Sequence, residues 1–105
     1  MTRPANPARG EAGFSVDGEP LLLRPSFAAL VAAEEELGPL FALVERAAEG
    51  QLRLSEMAAL FWHCLAERPE GCTRERVGEA LAQLGLAKAT PALKLLLTQI
   101  LQGRV

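Results

Sequence analysis

Histidine and cysteine, the usual ligands of zinc and the partners of a Cys–His catalytic pair, occur three times in this chain: His63, Cys64 and Cys72. A zinc site needs three or four ligands at a recognisable spacing. Neighbouring helix positions point about 100° apart, so His63 and Cys64 do not converge on one point. The pattern therefore predicts no metal site and no Cys–His catalytic site. It predicts Cys64 as a core thiol, His63 as a half-exposed polar residue and Cys72 as a surface thiol in a turn.

Other sequence patterns that carry chemistry are missing as well. The chain has no phosphate-binding loop, no GxGxxG and no paired-cysteine motif. We therefore expect a protein that is not an enzyme and that needs no cofactor.

Residues 55–85 can also be read as a helix-turn-helix, a DNA-binding motif. Thr73, Arg74 and Arg76 would then begin its recognition helix. The connection between the two helices is longer than the usual turn of 3–4 residues. Glu75 and Glu79 would face the phosphates, and the chain as a whole has a net charge of -2. Acidic chains rarely read DNA, so we expect no nucleic-acid partner and keep a DNA-binding regulator as the lesser alternative.

Length and composition indicate one domain. The chain has 105 residues, half of them hydrophobic, with 11 basic and 13 acidic side chains. Residues 1–10 are polar and contain Pro4 and Pro7, which predicts a flexible arm before a domain at residues 11–105. Fully apolar runs are far shorter than the ~20 residues that span a bilayer. We expect a cytoplasmic protein without a membrane partner.

The periodicity predicts an α+β fold that is mostly α, with a hairpin at residues 11–24 and about five short helices at residues 27–103. Gly18 follows Asp17 in a two-residue turn, and Gly38 ends the first helix, so both glycines are predicted structural residues. The expected start and end residues of the helices are Ser26 and Gly38, Pro39 and Gly50, Ser55 and Pro69, Thr73 and Gly85, and Thr90–Pro91 and Gly103.

Three large apolar residues lie away from the predicted apolar stripes of their helices: Phe41, Trp62 and Leu95. A helix that is apolar all round is either central in the core or used for binding. Both alternatives stay open at this point, and the three residues are candidate partner-binding residues. Surplus apolar residues beside a hairpin that is marginal by itself also suggest a homo-oligomer.

The first helix ends in three consecutive glutamates, where the helix dipole disfavours acids. On a helical wheel Glu34 falls among Phe27, Leu30, Val31 and Leu37, whereas Glu36 points to solvent. We therefore expect Glu34 to be partly buried and held by Arg24 or Arg53, because a buried carboxylate is costly without a partner. In the alternative, the helix is rotated and Glu34 reaches solvent.

The first 40 residues carry a recognisable pattern. It consists of Asn6, Arg9-Gly10-Glu11, Asp17-Gly18, Leu23-Arg24-Pro25-Ser26-Phe27, the three glutamates 34–36 and Gly38, followed later by the apolar stretch LFWHCL. This pattern resembles the tail-gene proteins of gene transfer agents, a family grouped with the tail assembly chaperones of long-tailed phages. The resemblance implies a non-enzymatic role: shielding the tape-measure protein until tail-tube subunits assemble around it.

The same family is also described as a tail tube protein, which would be part of the particle. Tail tubes are built from extensive β-sheet, and one predicted hairpin supplies little strand. The sequence therefore favours a chaperone whose partners are the tape-measure protein and the tail tube protein. A structural tail protein of the particle is the alternative within the family.

Overall fold

The computed structural model describes residues 11–102. It confirms the predicted α+β class, with an N-terminal hairpin followed by five helices. The elements are β1 (Ala12–Val16), β2 (Glu19–Leu23), α1 (Phe27–Leu37), α2 (Leu40–Ala48), α3 (Leu54–Cys64), α4 (Arg74–Leu84) and α5 (Leu86–Gln102). The flexible arm predicted at residues 1–10 lies outside the described residues.

The hairpin forms around the predicted turn. Asp17 and Gly18 both have positive φ, at 53° and 80°, as the tight turn between two twisted strands requires. The strands pair from Val16 with Glu19 back to Ala12 with Leu23. Backbone hydrogen bonds are exchanged only at alternate pairs, beginning with the pair that flanks the turn. Pro20 occupies the next pair, so β1 loses no hydrogen bond to its missing N–H.

The other edge of β2 is covered by the segment that follows α3. The Ala66 amide donates to the carbonyl of Leu22 at 2.9 Å, and the Arg24 amide donates to the carbonyl of Cys64 at 2.6 Å. Leu23 and Leu65 form an isolated antiparallel bridge between these contacts. A hairpin that would be marginal in isolation is therefore fixed along β2 to the helical part of the fold.

The core is centred on α3, which packs against α1 and α4 and whose C-terminal end pairs with the hairpin. The rings of Phe14 and Phe61 meet edge to face, with their centroids 5.2 Å apart. The largest fully buried apolar side chains come from five of the seven elements: Leu23, Leu43, Leu60, Phe61, Val77, Leu81 and Leu96.

Most helix ends follow the sequence signals. Ser26 and Thr73 cap α1 and α4, and Gly38 ends α1 with a φ of 88°. One predicted end is wrong, because α3 ends at Cys64, five residues before Pro69. Two predicted starts are wrong as well. Ser55 does not cap α3, because the helix begins one residue earlier and Glu56 accepts the amide of residue 53 at 2.9 Å.

The start predicted at Thr90–Pro91 is also wrong, because α5 begins at Leu86. Pro91 lies in the second turn of α5, where it removes one hydrogen bond within the helix and its ring crowds the carbonyl four residues back. The hydroxyl of Thr90 donates to the carbonyl of Leu86 at 2.8 Å.

Helix α1 is rotated relative to the expectation. Its buried residues are Ala29 and Ala33, while Phe27 is 85% exposed. Glu34 is exposed, and its Oε2 accepts the amide of Leu40 at 3.1 Å. The prediction of a partly buried Glu34 held by an arginine is therefore wrong, and the rotated-helix alternative is confirmed.

Arg24 does hold a buried carboxylate, but it is that of Glu11. The Nε of Arg24 lies 3.0 Å from Oε2 of Glu11, whose side chain is 1% exposed. The pair joins the residue before β1 to the residue after β2. It closes the open end of the hairpin, opposite the turn.

We predict that Arg24→Ala lowers the free energy of unfolding by about 1–3 kcal/mol. The buried carboxylate of Glu11 would lose this cation, and the effect falls below that of a fully buried pair because Arg24 itself is half exposed. Arg53→Ala, at the exposed arginine that was the other candidate, should change it by less than about 0.5 kcal/mol. Urea unfolding measures both. Equally small changes in the free energy of unfolding for both variants would contradict a stabilising ion pair between Arg24 and Glu11.

Candidate functional site

The three candidate partner-binding residues lie in different surroundings. Phe41 is 71% exposed on α2. Trp62 and Leu95 are half-buried and pack against the core, and the guanidinium of Arg68 lies 4.2 Å from the centre of the Trp62 ring. Phe41 is therefore the one of the three whose side chain is mostly free to meet a partner.

Sequence reasoning missed Phe27, because it was placed on the inward side of α1. The available signal was the pair Ala29 and Ala33, four residues apart on the same side of the helix. Small side chains allow a helix to approach its neighbour closely, and α1 packs mainly on α3. With the alanines inward, Phe27 and Val31 turn outward.

The exposed side chains of the first two helices, which are neighbours in the fold, are together called the α1–α2 face. Glu34 connects the two helices because it accepts the amide of Leu40, the residue directly before Phe41. All members of the face are exposed: Phe27, Val31, Glu34, Glu35, Phe41, Glu45 and Glu49.

The face is strongly acidic. Residues 27–49 contain five glutamates and one arginine, a net charge of -4. The arginine, Arg46, donates to Oε1 of Glu56 on α3 at 2.8 Å, and Glu36 is paired elsewhere. The four carboxylates of the face form no ion pair within residues 11–102. The α1–α2 face thus combines exposed aromatic rings with unneutralised negative charge.

A polar cluster of Glu36, His63 and Arg74 joins α1, α3 and α4. The Nε2 of His63 lies 2.9 Å from Oε1 of Glu36, and a guanidinium nitrogen of Arg74 contacts Oε2. Because a carboxylate only accepts, the first contact requires the proton on Nε2. Hydrogen bonds from Arg74 and then His63 hold the pKa of Glu36 below its usual value. Glu36 is exposed, as predicted, but its ion pairs were not predicted: its position beside the buried alanines brings it to the neighbouring helices.

The thiols do not join this cluster in a catalytic arrangement. Cys64 is fully buried, as predicted, and burial raises its pKa to about 12. A thiol protonated at neutral pH is a poor nucleophile, since the thiolate is the reactive form. Cys72 is half-buried against the core rather than freely exposed. No group of three or more His, Cys, Asp or Glu residues within the described part of the chain is placed to hold a metal ion.

The arginines of the helix-turn-helix alternative form ion pairs with other elements of the fold. Arg74 pairs with Glu36, and Nη1 of Arg76 lies 2.7 Å from Oδ2 of Asp17 in the hairpin turn. Residues 65–73 separate α3 from α4, more than the short turn of that motif. The start of α4 therefore serves to attach this helix to α1 and to the hairpin.

No single helix between residues 11 and 102 is long and apolar enough to cross a membrane. The two C-terminal helices, α4 and α5, reach the required length and composition only together, and they are bent by 120° where they join.

We predict that Glu36→Gln lowers the free energy of unfolding at neutral pH by up to about 1 kcal/mol, the range of partly exposed ion pairs. A carboxylate whose folded pKa is depressed stabilises the fold above its unfolded pKa, and this contribution disappears as the pH falls through the folded pKa.

The difference between Glu36→Gln and wild type should therefore shrink in acid and vanish once the pH lies below the lowered pKa of Glu36. Glu35→Gln, at the exposed neighbour that forms no ion pair within residues 11–102, is the control and should not lower the free energy of unfolding at neutral pH. Urea unfolding across a pH series measures both variants. A difference of the same size at every pH would rule out the ion-pair explanation.

Comparison with known proteins agrees with the resemblance seen in the sequence. A family model described as phage tail tube protein, GTA-gp10, matches residues 9–103. Comparison with curated proteins and with solved structures gives no match. Because the matched segment is nearly the whole chain, this protein belongs to that gene transfer agent tail family.

Proposed function

We propose that this chain is a non-enzymatic tail assembly chaperone of a gene transfer agent or prophage, acting in the cytoplasm on apolar helical segments of the tape-measure protein. The observation that carries the proposal is the exposure of Phe27 and Phe41 on two adjacent helices of a tail-family protein. Large apolar residues that stay exposed on neighbouring helices are candidates for contacts with a partner.

The distribution of secondary structure supports a chaperone. Within residues 11–102 the only sheet is a two-stranded hairpin, and one of its two outer edges is already paired with Leu65 and Ala66. A tube wall needs continuous sheet, whereas a helical surface suits the binding of an amphipathic helix. The free tube subunits would displace the chaperone as they assemble around the tape-measure protein.

A structural subunit of the finished particle is the second candidate. It is favoured by the description of the matching family as a phage tail tube protein. The two candidates differ in where the chain ends up. A chaperone leaves the tail as the tube forms, while a tube subunit stays in it in many copies.

We predict that co-expression of this chain with the tape-measure product of the same gene cluster keeps that product soluble and intact, and that the two co-purify. The double variant Phe27→Ala/Phe41→Ala should fold but lose this protection. Soluble tape-measure protein is quantified by immunoblot after centrifugation, with the chain omitted as the reference.

The amount of this chain in purified particles, produced by cells that carry the whole gene cluster, distinguishes the two candidates. The chaperone proposal expects the chain to be depleted from particles relative to the tube. The proposal fails if the tape-measure product is equally soluble and intact without the chain. Recovery of the chain in particles at the abundance of a tube subunit would favour the second candidate.

A further inference from the structure

We infer that the α1–α2 face binds a basic amphipathic helix, in which apolar side chains are followed by lysine or arginine about two turns away. This rests on the proposed function and deepens it, because it assigns the binding surface and the charge of the partner.

The aromatic residues of the face provide the anchors. Phe27 and Phe41 each lie in the first turn of a helix, and both are largely exposed in the free chain. Aromatic side chains dominate binding when a partner buries them in a pocket. Because both residues are more than two thirds exposed, most of the apolar surface of the two rings remains available to a partner.

One carboxylate in or just after each helix follows the aromatic residue of that helix by the same number of residues. Glu35 lies eight residues after Phe27, and Glu49 lies eight residues after Phe41. Eight residues of α-helix correspond to about 12 Å. Each helix thus presents an apolar end and an acidic end, and a partner of matching length needs its cations about two turns from its apolar residues.

The position of these carboxylates in their helices argues for an external cation. Glu34 and Glu35 lie in the last turn of α1, Glu45 lies in the last turn of α2, and Glu49 follows its end. The helix dipole is negative there and disfavours acids. Glu34 is the exception, because it accepts the amide of Leu40 at the start of α2, where the dipole is positive. Since Glu35, Glu45 and Glu49 lack an ion pair within residues 11–102, a bound lysine or arginine would relieve the repulsion that acts on them.

A second copy of this chain is the rival occupant. Its α5 exposes Lys88 and Lys94 and has no acidic residue. These two lysines are six residues apart, and α5 offers only them against four carboxylates. The charge balance therefore favours a partner with more cations than α5 supplies.

Two synthetic peptides of about five helical turns test the inference without any tape-measure protein. One is built from leucine and lysine, and the other from leucine and glutamate in the same pattern. Titration calorimetry with the full chain should show binding of the leucine–lysine peptide, weaker at high salt. The leucine–glutamate peptide should not bind.

Alanine variants then locate the surface. Phe27→Ala/Phe41→Ala should weaken binding of the leucine–lysine peptide by at least about tenfold. Leu86→Ala/Leu101→Ala removes two exposed leucines elsewhere and is the matched control, with unchanged affinity expected. Equal loss in both double variants would overturn the assignment to the α1–α2 face.

Charge reversal separates a specific site from general attraction. Glu35→Lys/Glu49→Lys should bind the leucine–glutamate peptide instead. Glu67→Lys/Glu70→Lys makes the same change in net charge on the exposed loop after α3 and should keep the original preference.

Three results would overturn the inference. In the first, the unaltered chain binds both peptides alike. In the second, the two charge-reversed variants behave alike. In the third, the chain self-associates through this face and does not bind the leucine–lysine peptide. If Lys88→Glu/Lys94→Glu then abolishes the self-association, the face is occupied by a second copy of the chain. The synthetic peptides test the binding surface independently of the tape-measure protein. If the chain binds the leucine–lysine peptide but does not protect the tape-measure protein, the proposed function is wrong and the inferred binding surface is retained.

Discussion

The packing of Ala29 and Ala33 into the core decides what the rest of α1 does. With these two small side chains inward, the helix can approach its neighbours closely, and every other position takes its orientation from them. Phe27 is then turned to solvent, and Glu36 lies beside the buried side of the helix, where His63 and Arg74 can reach it. One packing choice thus produces both the exposed aromatic surface and the polar cluster that connects three helices.

Helix α1 packs against a core that is centred on α3. Its fully buried Phe61 contacts Phe14 of the hairpin, and the segment after its end pairs with β2. The hairpin is therefore fixed by side-chain packing and by backbone hydrogen bonds together. Apart from Glu34, which accepts the amide of Leu40, the exposed members of the α1–α2 face are therefore not needed to hold the hairpin or α3 in place.

Local signals in the sequence predicted much of the fold. Asp17–Gly18, Ser26, Gly38 and Thr73 each act through a backbone conformation or a cap that depends on nearby residues. The orientation of α1 was not predictable in this way, because its sequence is apolar on most sides and the larger residues suggested a false stripe. Glu11 was missed for a related reason: its burial depends on Arg24, thirteen residues away, and on how the hairpin is covered. The family was predicted from its motif pattern, which requires no geometry.

The most direct measurement compares the same substitution at two phenylalanines by urea unfolding. Phe61→Ala should lower the free energy of unfolding by about 3–5 kcal/mol, as expected for a core aromatic residue. Phe27→Ala should change it by less than about 0.5 kcal/mol, because the ring contributes little to the folded chain. A loss of several kcal/mol for Phe27→Ala would show that the ring is buried, that α1 is not rotated, and that the α1–α2 face does not exist as described.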